Sequence, residues 1–157
     1  MKVMLVGFFD WQGVIHYKFI PHGQTVNKEF YVAVLKCLRE AVRRKRPQLW
    51  TNQSWVLHHD NAPVHLPFLV RNFLAKNQTT NVPQPPYSPD LSPADFVLFP
   101  KFKSTLKGCC FNTFDEIHIN STKELFTILK EAFQSWQKCW ERCVASEGNY
   151  FEGDKLE

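Results

Sequence analysis

The sequence predicts an α/β fold in a single domain, residues 1–157, on three observations. Two apolar runs stand almost back to back at the start, joined by a link short enough to be a hairpin turn. After them, short strand-like runs alternate with stretches whose apolar residues recur at helical spacing. The 157 residues, 44% hydrophobic and 15% aromatic, make one globular domain but too little chain for two ordinary ones.

Lys2 to Phe9 (KVMLVGFF) and Val14 to Ile20 (VIHYKFI) are rich in strand formers, and Asp10-Trp11-Gln12-Gly13 makes the turn of an antiparallel pair. Pro21-His22-Gly23 closes this hairpin. Thr25 or Asn27 then offers a helix N-cap, and Phe30, Val34, Leu35, Leu38 and Val42 follow at helical spacing until the basic run and Pro47 stop the helix. Ser54 to His58 is a short strand that delivers His59, Asp60 and Asn61 to its C-terminal end. Leu66 to Lys76 reads as a helix with Pro67 in its first turn, and Thr79 to Val82 as another short strand. Pro83 to Pro93 (PQPPYSPDLSP) is too rigid for helix or inner strand. A helix from Ala94 to about Lys107 ends at Gly108, and Thr113 to Val144 is helical in composition, anchored by Phe114, Phe126, Phe133, Trp136 and Trp140.

The formal charge is a mild +4, but its distribution is uneven. Arg43, Arg44, Lys45 and Arg46 form an unbroken basic run, and Lys101, Lys103 and Lys107 a second cluster. Such runs solvate helix ends, and they also suit a polyanion. Five cysteines, an odd number, argue against a fully paired disulfide framework and for a reducing, intracellular setting. Cys139 and Cys143 share a helix face, as core thiols do. The apolar opening is too short for a signal-peptide core, and no stretch approaches the length of a membrane span.

Two acidic residues stand out for chemistry. Asp60 follows a strand at the sheet edge where α/β folds bind ligands, and Asp95 opens a helix after a proline-stiffened loop. Local helix capping accounts for either alone. Together, carboxylates on a rigid strand end and a rigid loop suit Mg²⁺, which takes a few carboxylates with water and phosphate oxygens. His58, His59 and His65 flank Asp60 and raise zinc as a rival, though without the usual helical ligand spacing. Trp11, Trp50 and Trp55 suit base stacking or, as is commoner for tryptophan, the core.

His59 to His65 (HDNAPVH) resembles the second catalytic block of mariner-type transposases, and Pro86 to Phe96 (PYSPDLSPADF) resembles their third. The residues between the family's two aspartates number 34, as do residues 61–94 here. Phe9 to Val14, Gly23 to Asn27, Arg44 to Pro47 and Cys143 to Phe151 look like further family blocks, so the resemblance runs over almost the whole chain. It implies an RNase H-like fold, a mixed sheet opened by a β-hairpin and flanked by helices. It also implies cut-and-paste DNA transposition, in which dimers bind inverted-repeat ends and use two divalent metals, Mg²⁺ or Mn²⁺, to hydrolyse and join phosphodiesters. Asp60 and Asp95 match metal-ligand aspartates of that family, with His59, Asn61, His65 and Tyr87 shaping the site. Asp90 lies in the same loop but is not a family ligand, and its expected role is a local hydrogen bond in the turn.

Some features depart from the family. Its first catalytic aspartate belongs to a T-G-D-E-K-W-like block on a central strand upstream of the hairpin, and nothing here matches it. Asp10 matches the hairpin-turn aspartate instead. The helix-turn-helix DNA-binding domains have no counterpart either. Leu66-Pro67-Phe68 and Phe96-Val97 stand where the family has small or polar residues. The expectation is a partial RNase H-like catalytic domain without its first central strand, nuclear, contacting DNA through Arg43 to Arg46 and Lys101, Lys103 and Lys107. It binds metal weakly and is inactive as an isolated chain. The alternative is a non-catalytic DNA-binding or interaction remnant of a decayed or domesticated element.

Overall fold

A computed structural model describes residues 4–109 and 113–148. They form two compact units. The first holds the hairpin strands and the chain from Val14 to Gln84, and the second holds the hairpin turn, Asp10–Gly13, with the chain from Pro85 onward.

In the first unit, strands β1 (Met4–Asp10) and β2 (Gly13–Ile20) pair across a two-residue turn, Trp11-Gln12, a link short enough only for an antiparallel hairpin. Asp10 Oδ1 accepts the Gln12 N–H at 2.8 Å, and Gly13 takes a φ of 126°, open to residues without a Cβ. Helix α1 (Lys28–Lys45) is capped by Asn27, not Thr25: the Asn27 Oδ1 accepts the Phe30 N–H at 2.8 Å. Its buried face is Tyr31, Val34, Leu35, Leu38, Ala41 and Val42. Tyr31 replaces the expected Phe30 because it sits three, four, seven and eleven positions before the other large buried residues, along one helical stripe. Phe30 lies at the stripe's edge, where the Lys18 ammonium stands 4.9 Å over its ring.

Pro47 ends α1 and also opens a short helix α2 (Pro47–Thr51), where its missing N–H costs nothing. Strands β3 (Val56–His58) and β4 (Thr80–Val82) pair in parallel with Leu57 opposite Asn81, and helix α3 (Phe68–Lys76) makes the crossover. Tyr31, Leu35, Leu38, Val42, Leu57, Val70 and Leu74 form the core of this unit. Trp50 and Trp55 pack against it, as tryptophans usually do, while Trp11 is exposed. Arg39 ties α1 to the end of α3, donating to the Asn77 carbonyl at 3.2 Å and the Thr79 hydroxyl at 2.8 Å. Among the described residues no ladder joins β1–β2 to β3–β4, so the strands form two separate two-stranded sheets.

In the second unit the proline-rich loop carries a 3₁₀ turn (Pro89–Leu91), then a π-helical turn (Ala94–Leu98), helix α4 (Phe99–Leu106) and helix α5 (Phe114–Ala145). The expected single helix from Ala94 is therefore split. Pro100 has no N–H to return to Phe96 and crowds that carbonyl, and the Phe99 N–H bonds back five residues to Ala94. Thr113 caps α5, its Oγ1 accepting the Glu116 N–H at 3.2 Å. The π turn and α4 pack on α5, and Leu91, Val97, Leu98, Leu125, Ile128, Leu129 and Ala132 are buried. The Trp136 indole donates to the Leu91 carbonyl at 2.8 Å and fixes the loop to α5. Cys139 and Cys143 are half-buried free thiols, and burial pushes the Cys139 thiol up. No described helix is long and apolar enough to cross a membrane.

The α1 stripe should dominate stability. Leu35, 1% exposed, should cost about 3 kcal/mol as Leu35→Ala, while Leu66→Ala, at a position 55% exposed, should change stability by less than about 0.5 kcal/mol. Urea unfolding of both variants measures this, and equal midpoints would remove α1 from the centre of the core.

Candidate functional site

Asp60 is the second residue beyond β3, at the C-terminal edge of the parallel pair, and its side chain is 59% exposed. Its Oδ1 accepts the Ala62 N–H at 3.1 Å and stands 2.7 Å from His65 Nδ1. The same Nδ1 lies 3.0 Å from the Asp60 carbonyl oxygen. Both neighbours are acceptors, so Nδ1 carries the hydrogen and donates to them. The bond from His65 holds the Asp60 carboxyl below its usual range, with the Ala62 amide adding to it and burial opposing. Both contacts fall on Oδ1, which leaves an ionised carboxylate with Oδ2 open.

His65 is in turn held by rings. It stacks on His59 with centroids 4.6 Å apart and 4° between planes, and its centroid lies 4.3 Å from that of Tyr31. The Tyr31 hydroxyl is 2.8 Å from His59 Nδ1. Burial, and after it the charge of Asp60, raises the Tyr31 phenol above its ordinary value, so it keeps its proton and donates. His59 therefore accepts at Nδ1 and, when neutral, carries its hydrogen on Nε2. Burial pulls His59 down to about 4, with His65 and His58 acting the same way and Asp60 opposing. The result is a chain of contacts that runs from the buried face of α1, through a neutral His59, to a charged, exposed carboxylate. Asn61 adds a tie from its Nδ2 to the Gln84 carbonyl at 2.8 Å, joining the loops that follow β3 and β4.

These histidines fix the acidic loop. Among the described residues no group of three or more His, Cys, Asp or Glu is arranged to hold a metal. Asp60 offers what a hard cation takes, an ionised, oriented, accessible oxygen. Tyr31 escapes attention in the sequence because it falls in a helical stripe, yet it is the one polar tip on that stripe. A buried hydroxyl needs a partner, and this was the available signal.

Asp95 lies in the second unit, exposed in the first turn of the π segment, with its N–H bonded to the Ser92 carbonyl at 2.9 Å. π turns are rare and recur at functional sites. Asp90 does not make its expected local hydrogen bond: its Oδ1 is buried without a hydrogen-bond partner. Tyr87 is 97% exposed with φ at 55°. Lys101, Lys103 and Lys107 are exposed on and just after α4.

In the first unit, the basic run at the end of α1 is partly committed. Arg43 forks onto Glu40 at 2.7 and 3.1 Å, and Lys45 reaches the Val14 carbonyl at 3.3 Å. Burial, and then Arg44 and Arg46, lower the Lys45 ammonium. Arg44 is exposed with its guanidinium outside these contacts.

His59 should stay neutral through the mildly acidic range. A lowered value in the fold means that its contribution to stability is complete above 6.5 and fades as pH falls towards 4. NMR of the imidazole protons should show no His59 titration between about pH 8 and 5.5, and His59→Gln should flatten the loss of stability on acidification. A midpoint near 6.5 would contradict the buried, Tyr31-bonded ring.

A family model described as a transposase, partial DDE domain, matches residues 1–52. Over 96% of its length the chain is 35% identical to the Mariner Mos1 transposase of Drosophila mauritiana and 30% identical to the histone-lysine N-methyltransferase SETMAR of Homo sapiens. It spans 45% of the first and 23% of the second, under half the length of either. A structure of the Mos1 transposase catalytic domain with Raltegravir and Mg superposes with a TM-score of 0.84 at 34% identity, covering 96% of this chain and 77% of that one. A Mos1 transposase paired-end complex with the left transposon end gives 0.84 at 32%, covering 96% and 45%. Two separate two-stranded sheets with their helices thus match an RNase H-like catalytic domain, and the chain belongs to the mariner transposase family.

Proposed function

We propose that this chain is the DNA-processing core of a mariner-type transposase and supplies two of its metal ligands, Asp60 and Asp95. The observation that carries the reading is the state of Asp60: ionised, exposed and held on one oxygen by His65 and the Ala62 amide. Evolutionary kinship with a catalytic domain solved with Mg supports the class of metal. When bound, Mg²⁺ or Mn²⁺ supplies a Lewis acid for phosphate oxygens and a more acidic water. This chain's own work is to hold carboxylates. His65 fixes the Asp60 rotamer, Tyr31 and His59 fix His65, and the π turn presents Asp95. Binding through two protein carboxylates is weak, with Mn²⁺ at least as good as Mg²⁺.

The family's first catalytic aspartate has no counterpart in residues 1–157. We therefore expect these residues alone to leave supercoiled plasmid intact in Mg²⁺ or Mn²⁺. Metal-dependent nicking that disappears in Asp60→Ala would overturn this.

DNA, in the nucleus, is the proposed partner, with homodimer formation as in the family. Arg44, Arg46 and the lysines of α4 meet phosphates, so affinity falls with salt and is largely blind to sequence. Replacing Arg43, Arg44, Lys45 and Arg46 by Ala should lower the slope of log K against log salt by about two units rather than four, because Arg43 and Lys45 are engaged within the protein. An unchanged slope would take the run out of the interface.

The second reading is a DNA-binding remnant without chemistry, serving a larger protein. Leu66 and Phe68, 55% and 75% exposed, favour it, since apolar groups gathered on a surface mark contact sites.

A further inference from the structure

We infer that Tyr87 is a stacking residue for an unpaired DNA base, a positioning role that rests on the proposed function and extends it. Two features of the second unit meet at this side chain. The ring is 97% exposed, whereas large aromatic side chains are normally at least half covered. Its backbone sits at φ 55°, a left-handed conformation that costs a residue with a Cβ and is natural to glycine or asparagine. A strained tyrosine whose ring packs on nothing is not explained by folding; such strain gathers at sites where the group is used.

The surroundings are built to keep the ring in place. Pro85 and Pro86 precede it and Pro89 follows, so few backbone torsions around it are soft. Ser88 Oγ donates to the Pro86 carbonyl at 3.1 Å, bracing the turn from the other side of the residue. Downstream, Leu91 and Ser92 are 3% and 6% exposed, and the Trp136 indole clamps the Leu91 carbonyl at 2.8 Å. The loop is thus anchored at one end and presents one flat apolar face to solvent. Stacking gains most from a ring that is already immobile, since little entropy is lost on binding.

The chemistry nearby selects the ligand class. The same rigid loop leads into Asp95, and exposed Lys101, Lys103 and Lys107 follow on and beyond α4. An exposed aromatic face on the same unit as exposed ammonium groups offers what single-stranded nucleic acid takes, a ring for bases and lysines for phosphates. A base inside a duplex is already stacked, so the ring favours one freed at a strand end. Tyr87 would hold the terminal nucleotide of a cleaved or frayed end while its phosphate lies near Asp95.

The test uses the whole chain and two DNA probes: a blunt duplex, and the same duplex with a short 3′ single-stranded extension carrying 2-aminopurine. The wild type should quench the 2-aminopurine and bind the extended duplex about tenfold more tightly than the blunt one. Tyr87→Phe should retain both properties. Tyr87→Ala and Tyr87→Gly should lose both, binding the extended duplex no more tightly than the blunt one. Tyr87→Gly should also melt above the wild type, because glycine accepts φ 55° without strain, which separates loss of the ring from loss of the fold. Quenching by Tyr87→Ala equal to that of the wild type would overturn the assignment. Equal wild-type affinity for both duplexes without quenching would overturn it while leaving the proposed function standing. Failure of the wild type to bind either duplex would overturn both.

Discussion

The hydrogen bond from Tyr31 to His59 connects the core to the chemistry. Tyr31 is 2% exposed on the buried stripe of α1, and its hydroxyl is the polar tip of an otherwise apolar face. Burying that hydroxyl without a partner would cost about 1–3 kcal/mol, so the His59 ring is drawn to it. His59 then supports His65 by stacking, and His65 holds Asp60. A loop with few backbone bonds of its own is thereby ordered by the best-packed helix of the unit. The carboxylate at its end is charged and exposed, although the His59 ring behind it is half-buried and held below its ordinary pKa.

This arrangement suits a hard-cation ligand. The His65 bond lowers the pKa of Asp60, so no proton competes with a metal near neutral pH. It also fixes one carboxylate oxygen and leaves the other available, as supporting hydrogen bonds do around metal ligands. The π turn around Asp95 has a different origin. It follows from Pro100, which cannot continue a regular helix register, so a local steric rule shapes the turn that carries Asp95.

Much of this was legible in the sequence. The hairpin, α1, the β3–α3–β4 crossover and α5 all follow from periodicity, caps and prolines, with their ends moved by a few residues. The proposal for Asp60 and Asp95 likewise comes from the two blocks and their separation. Other features were not legible. Tyr31 was hidden because a helical stripe gives no sign of what its polar tip meets across 28 residues of sequence. The engagement of Arg43 with Glu40 and of Lys45 with Val14 was hidden because a basic run looks solvent-facing until its partners are known. The buried, unbonded oxygen of Asp90 runs against its turn propensity, since tertiary packing of the loop overrides local hydrogen bonding.

The proposal on which the account rests is that Asp60 and Asp95 are divalent-ion ligands and that His65 prepares Asp60 for that role. Thermal melts of the whole chain with and without millimolar Mn²⁺ test it most directly, on the wild type, Asp60→Asn, Asp95→Asn and His65→Ala. Mn²⁺ should raise the wild-type melting temperature, by as much as about 2.7 kcal/mol of added stability at 100 times the dissociation constant. Either asparagine substitution should abolish the gain, and His65→Ala should shift it to higher Mn²⁺ concentration. A wild type indifferent to Mn²⁺, or a gain that survives both Asp60→Asn and Asp95→Asn, would contradict the account.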